Sequence, residues 1–236
     1  MKYYFVFNGT DSRDLGIYIE SMPQTQRPRK RVTQVTIPGR AGALTISEGD
    51  EAYDTYIQSM VINVRPERAQ ELIDLLNGEG WLTLCNDPHV KQRAQVLNAF
   101  TLKRISKGLE WLNGTLAFTC QPYKYSIAET VEVYDSGDFI YNNGDVVERP
   151  VITVYGSGTL SVRIGSMGGY DNTFTVADVS GGCVIDCDAR EVLSLTGDII
   201  TAKSRGDFPA IPARERLYIF IGGADSCSIK RAVRRL

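Results

Sequence analysis

The side chains suited to chemistry in this chain are few and far apart. His89 is the only histidine and sits in CNDPHV, a stretch that reads as a turn. No G-x-S-x-G or comparable nucleophile setting is present for it to serve, and a chain with one histidine nearly lacks the commonest general base. Cys183 and Cys187 flank VID in a strand-like run, where their spacing puts them on one face. That spacing is not the C-x₂-C of a zinc knuckle, and no second pair or histidine cluster completes four ligands. Buried core thiols fit better. Asp186 and Asp188 share the opposite face, where a weakly held cation or solvated carboxylates are the alternatives, the second fitting a sandwich exterior better. No catalytic, cofactor-binding or metal-binding residue set emerges, and no enzyme is expected.

The segment TIPGRAGALTI at 36–46 is the most unusual in the chain. A phosphate cradle needs its glycines between a strand and the start of a helix. Here strand-like residues lie on both sides, so the phosphate reading fails. Pro38 withholds a ladder donor, and Gly39 and Gly42 can take positive φ. A turn or bulge that presents Arg40 at an exposed tip is expected. The basic run RPRKR at 27–31 precedes it, and a second basic run, RAVRR, lies at 231–235. Without interleaved aromatics these read as a solvated loop or a salt-bridging strip between subunits rather than a nucleic-acid surface. RGDF at 205–208 contains a three-residue adhesion motif too short to carry weight.

The elements that must position these residues are mostly strands. The chain has 236 residues, 43% apolar and 23% charged, with a formal net charge of −2. That is enough for one large or two small domains and gives no field that favours nucleic acid or anionic membrane. No apolar run approaches the ~20 residues of a membrane span. The beginning turns polar at Asn8, before a signal-peptide core could form, and the cysteine count of five is odd. Synthesis in a cytoplasm with reduced, mostly buried thiols is the expectation. KYYFVF, RVTQVTI, YIQSMVINV, WLTLC, TLAFTC, PVITVYG, LSVRI, TFTVADV, CVIDC and RLYIFIG carry strand signals. RVTQVTI divides its side chains between two faces, as a half-exposed strand does.

One helix is predicted, in RPERAQELIDLLNG, with Pro66 at its first position and Gly78 as its cap. Ala69, Leu72, Ile73 and Leu76 would form its buried stripe. From Val131 onward only strands and Gly-rich turns follow. The fold class is therefore mainly β: an α+β unit over 1–127, then an all-β sandwich over 128–236.

The ordered motifs resemble a known family. FVFNGTDSRDLGIYI, then I-P-G-R-x-G-x-L, the helix ERAQELIDLLNG, the strand WLTL and the closing GTLAFTCQPYKY resemble the distal tail proteins of long, non-contractile phage tails. Phe118, Cys120, Pro122 and Tyr123 stand where that family closes its N-terminal domain. Asn143-Gly144 with ERPVITVYGSG, CVIDCDAREV and GDFPAIP resemble its galectin-like C-terminal sandwich. After the second proline the family has Gly and an Asn turn, whereas Ala213-Arg214-Glu215-Arg216 follow here. The inserted carbohydrate-binding modules of longer members have no room.

The resemblance implies a virion protein of the tail tip, made and assembled in the host cytoplasm, with no cofactor. Its N-terminal domains would form a ring, commonly of six copies, around the DNA passage, with no membrane involved. Partners would be the tail-tube protein, the hub or tail-associated protein and, in some members, a receptor-binding protein. The segment near 27–57 is expected to be a hairpin arm at the subunit interface. Its turn would supply Pro38, Gly39, Arg40 and Gly42. Arg27, Arg29, Lys30, Arg31, Glu48, Asp50 and Glu51 would lie near subunit boundaries. Two alternatives remain: a galectin-like sugar binder using Tyr155, Tyr170 or Tyr218, and a cell-wall hydrolase whose paired carboxylates no motif places.

Overall fold

The computed structural model describes residues 2–49, 51–104, 110–166, 169–224, 226–231 and 233–236. The chain forms two compact units, one reaching Tyr125, to which Leu236 also belongs, and one over Ser126–Arg235.

The first unit contains β1 (Phe5–Phe7), β2 (Thr10–Asp11), β3 (Tyr18–Ile19), β4 (Val32–Thr36), β5 (Ala43–Ser47), β6 (Tyr56–Val64), β7 (Glu79–Leu84), β8 (Asp87–Gln95), β9 (Lys103–Arg104) and β10 (Leu112–Ser126). The main sheet runs β2-β1-β7-β8-β10-β6-β3, with β9 also paired to β10. Alternation fixes its inner face. Met60, Ile62 and Val64 on β6 and Leu116, Phe118 and Cys120 on β10 are buried, and Leu116 lies directly opposite Met60. Phe5 and Phe7 each pack a ring on Phe118, with centroids 5.5 Å apart in both pairs.

The predicted helix forms in a shorter version. Pro66–Arg68 is a 3₁₀ turn, and the α-helix α1 covers Ala69–Leu75. Leu72 and Leu76 enter the core, whereas Ile73 points outward and is 47% exposed. The stripe is therefore narrower than the spacing suggested, because seven residues lay only about two turns on the sheet. His89 also departs from expectation. It lies on β8 rather than in a turn, on the exposed side of a strand whose buried positions are Val90, Gln92 and Ala94. RVTQVTI is not half-buried either: β4 is exposed on both faces except at its first residue.

The second unit is a two-sheet sandwich. It uses β11 (Thr130–Asp135), β12 (Phe139–Tyr141), β13 (Val151–Val154), β14 (Gly158–Gly165), β15 (Asp171–Val179), β16 (Cys183–Asp186), β17 (Glu191–Ser194), β18 (Ser204–Arg205), β19 (Arg216–Gly222) and β20 (Ser226–Arg231). One sheet is ordered β11-β20-β13-β16-β17 and the other β12-β19-β14-β15-β18. Ile152, Ile185 and Ile229 face Val162, Phe174 and Leu217 in a single apolar core.

A buried polar network holds the loops of this unit. Glu148, 1% exposed, takes the Arg231 guanidinium in a fork, with Nε to Oε1 at 3.0 Å and Nη2 to Oε2 at 2.7 Å. Arg231 Nη2 also donates to the Tyr141 carbonyl at 2.9 Å. Nearby, Asn142 Nδ2 donates to the carbonyls of Val146 and Ile211, each at 2.9 Å, while its Oδ1 accepts from Gly144 N–H. The buried charges are thus paired and hydrogen-bonded, the condition under which burial is tolerated. The Gly of RGDF has a structural reason, since at φ +105 its bare Cα lies against the Thr173 carbonyl.

The two faces of α1 should separate in stability measurements. In urea unfolding of the dilute single chain, Leu72→Ala is expected to cost about 2–5 kcal/mol, whereas Ile73→Ala changes stability by no more than about 0.5 kcal/mol.

Candidate assembly surface

After β3 the chain leaves the main sheet, and β4 and β5 form a two-stranded sheet of their own. They pair from Val32 opposite Ser47 to Thr36 opposite Ala43. Arg40 N–H donates to the Ile37 carbonyl at 3.1 Å, closing a four-residue turn. Pro38 and Gly39 are its central residues, and Gly39 sits at φ +83. This is a type II turn, in which proline pre-sets the first central residue and glycine takes the positive φ of the second. Gly42, at φ +78, makes the second left-handed step into β5. Arg40 stands exposed at the tip.

The register sorts the arm into two faces. Thr33, Val35 and Ile37 lie on one side, with Ile46 opposite Thr33 and Leu44 opposite Val35. Val35, Ile37, Leu44 and Ile46 are all exposed, Ile46 by 49%. Gln34, Thr36, Thr45 and Ser47 make the other face polar. An isolated two-stranded hairpin is marginal in water, and this one leaves its apolar face exposed in its own unit.

The base of the arm is tied to the unit. Arg31 N–H donates to the Ala52 carbonyl and Asp54 N–H to the Arg29 carbonyl, both at 2.8 Å. Lys30 bridges Tyr53, and the Tyr123 hydroxyl donates to the Glu51 carbonyl. The charged residues do not form one strip. Arg31 is engaged by Asp54 of its own chain at 2.7 Å, and Glu48 accepts from Thr33 at 3.4 Å. Arg27, Arg29 and Lys30 are exposed, Glu51 is half-buried, and Asp50 lies outside the described residues.

The other candidates are not brought together. Cys183 and Cys187 are buried in the sandwich core, while Asp186 Oδ1 accepts from the N–H groups of Asp188 and Ala189 and so shapes the turn after β16. Among the described residues no group of three or more His, Cys, Asp or Glu could hold a metal ion. Tyr155 is exposed past β13 and Tyr170 packs against the core, whereas Tyr218 lies in β19 opposite Phe139, on the outer side of that strand. Sequence reasoning named Tyr218 but missed the aromatic residues beside it. Phe139, Tyr141 and Phe220 are exposed on the outer face of β12 and β19, with the Arg216 guanidinium 3.7 Å from the Phe139 ring and Arg163 5.7 Å from Phe220. Alternation in RLYIFIG carried that signal, but β12 is too short to announce itself.

No protein-family model matches the sequence, and no curated protein matches it. The fold does have a counterpart. The crystal structure of the phage SPP1 Dit protein superimposes with a TM-score of 0.80, covering 99% of this chain and 99% of that one at 16% identity. The chain has the Dit fold. That protein is described as a paradigm of the hub adsorption apparatus in phages that infect Gram-positive bacteria. The Dit fold here is mainly β, with α1 the only α-helix among the described residues.

Burial governs the thiols of this Dit fold. All five are free, and only Cys85 is not buried. Desolvation raises the Cys183 and Cys227 thiols to about 11 and Cys120 to about 12. At pH 8, Ellman's reagent should react rapidly with Cys85 alone, and with all five thiols only after unfolding. Unfolded thiols ionise near 9.0, whereas Cys183 and Cys227 hold their protons to about 11. Their stabilising contribution is therefore whole below pH 9 and lost as pH rises through 11, readable as a falling Tm.

Proposed function

We propose that this chain is a structural protein of a phage tail tip, forming a ring, hexameric by the resemblance, at the distal end of the tail tube. The ring joins the tube to the hub and host-adsorption apparatus. The observation that carries this reading is the likeness to SPP1 Dit over 99% of both chains, which covers both units in one order. The motifs that resemble distal tail proteins support it from the sequence side.

The physical support is the arm. A head-to-tail ring needs two different patches on each copy, one donated and one received. The β4–β5 hairpin, with its exposed apolar face and Arg40 at the tip, suits the donated patch. The unit up to Tyr125 is then the ring-forming domain, and the sandwich is a galectin-like module directed toward partners. The role is mechanical and non-catalytic.

Light scattering of the purified protein should give a discrete multi-subunit mass, and negative-stain images of that fraction should show an annulus. A Gly39→Val, Gly42→Val double variant should keep its fold and lose the annulus, because valine resists the positive φ of both turn positions. Closed rings from that variant would overturn the arm's role.

A second reading is favoured by the exposed Phe139, Tyr141 and Phe220 face, whose rings and arginines suit stacking on sugars. On a glycan array this reading predicts binding that Phe139→Ala and Phe220→Ala each reduce at least tenfold. Unchanged binding, or none, rejects it.

A further inference from the structure

We propose that a groove beside α1 receives the arm of a second copy of this chain, an assignment that rests on the ring reading above. The groove has a volume of about 710 Å³ and lies between the helix and residues 96–102. Leu76 and Phe100 form its floor, continuous with the core of the unit. Ile73, 47% exposed, and Leu97, 64% exposed, are its walls. Asp74 stands on the polar rim.

Three features select the occupant. The first is apolar match. The groove presents branched aliphatic walls, and the arm presents Val35, Ile37, Leu44 and Ile46 on a face that its own unit leaves exposed. Ile73 occupies a position where the pattern of α1 called for burial, and a covering surface restores that burial. The second is charge. Arg40 projects from the arm tip, and Asp74 on the groove rim accepts a hydrogen bond from Gln70 Nε2 at 2.9 Å, leaving carboxylate lone pairs for a guanidinium. The third is form. An apolar floor inside a polar rim is the anatomy of a protein interface. The arm and groove are also different patches of one unit, as a head-to-tail contact requires.

The test is a cross-link between copies in a Cys85→Ser background. Chains carrying Leu44→Cys alone and Leu97→Cys alone are prepared separately, checked for native circular dichroism, mixed, and oxidised. The expected product on a non-reducing gel is a linked dimer in the mixture, with at least tenfold less in either variant alone. A charge exchange supplies a second reading that needs no new thiol. Arg40→Glu and Asp74→Arg should each weaken assembly at least tenfold by light scattering, and the double variant should recover most of that loss.

Rings without the mixed cross-link and without charge rescue would overturn the groove assignment while leaving the ring reading intact. A protein that stays monomeric at every concentration, in wild-type and variant alike, would overturn both. A mixed cross-link together with assembly recovered by the charge exchange would establish the arm and groove as partners.

Discussion

A sheet with an apolar face is stable only when something covers that face, and most of this chain follows from that constraint. In the second unit the two sheets cover each other. In the first, the helix α1 and the ring cluster of Phe5, Phe7 and Phe118 close the inner face of the long sheet. The hairpin β4–β5 is the exception, a pair of strands whose branched residues face solvent on one side. An element of that kind loses conformational entropy without recovering it through burial in its own chain. Its retention makes sense if the missing cover comes from outside.

How much of this could be read from the sequence depended on how strongly each segment committed its side chains. YIQSMVINV and RLYIFIG are dense in β-branched and aromatic residues and form β6 and β19 over those same residues. DPHVKQRAQ is faint as a strand because Val90 is the only large apolar residue on its buried face, beside Gln92 and Ala94. The same faintness placed His89 in a turn. Ile73 was misplaced for the opposite reason: its spacing was right, but a seven-residue helix has too little contact with the sheet to bury the full stripe.

The turn of the arm was more legible than its environment. Proline and glycine at 38 and 39 specify a type II turn by local sterics alone, and the structure places a 3.1 Å hydrogen bond across it. What the arm touches is a property of pairs of surfaces and leaves no local mark. The charged run 27–31 shows the difference. Its density suggested a strip facing another subunit, yet Arg31 is already held by Asp54 in its own chain. Similarly, the exposed rings of β12 and β19 come together only through the pairing of Phe139 with Tyr218, which no segment reveals alone.

The Glu148–Arg231 fork has a bearing on how this sandwich can change over time. Eighty-three positions separate the two residues along the chain, yet each is buried against the other. Losing either one strands a charge in the interior, at about 3–5 kcal/mol, while exchanging both for apolar groups of similar volume is close to neutral. A lineage can therefore leave the ionic pair only by crossing a deep valley or by a near-simultaneous double step. Descendants and cousins of this sandwich should accordingly display covariation at these sites, as two charges or two hydrophobes, and hardly ever one of each.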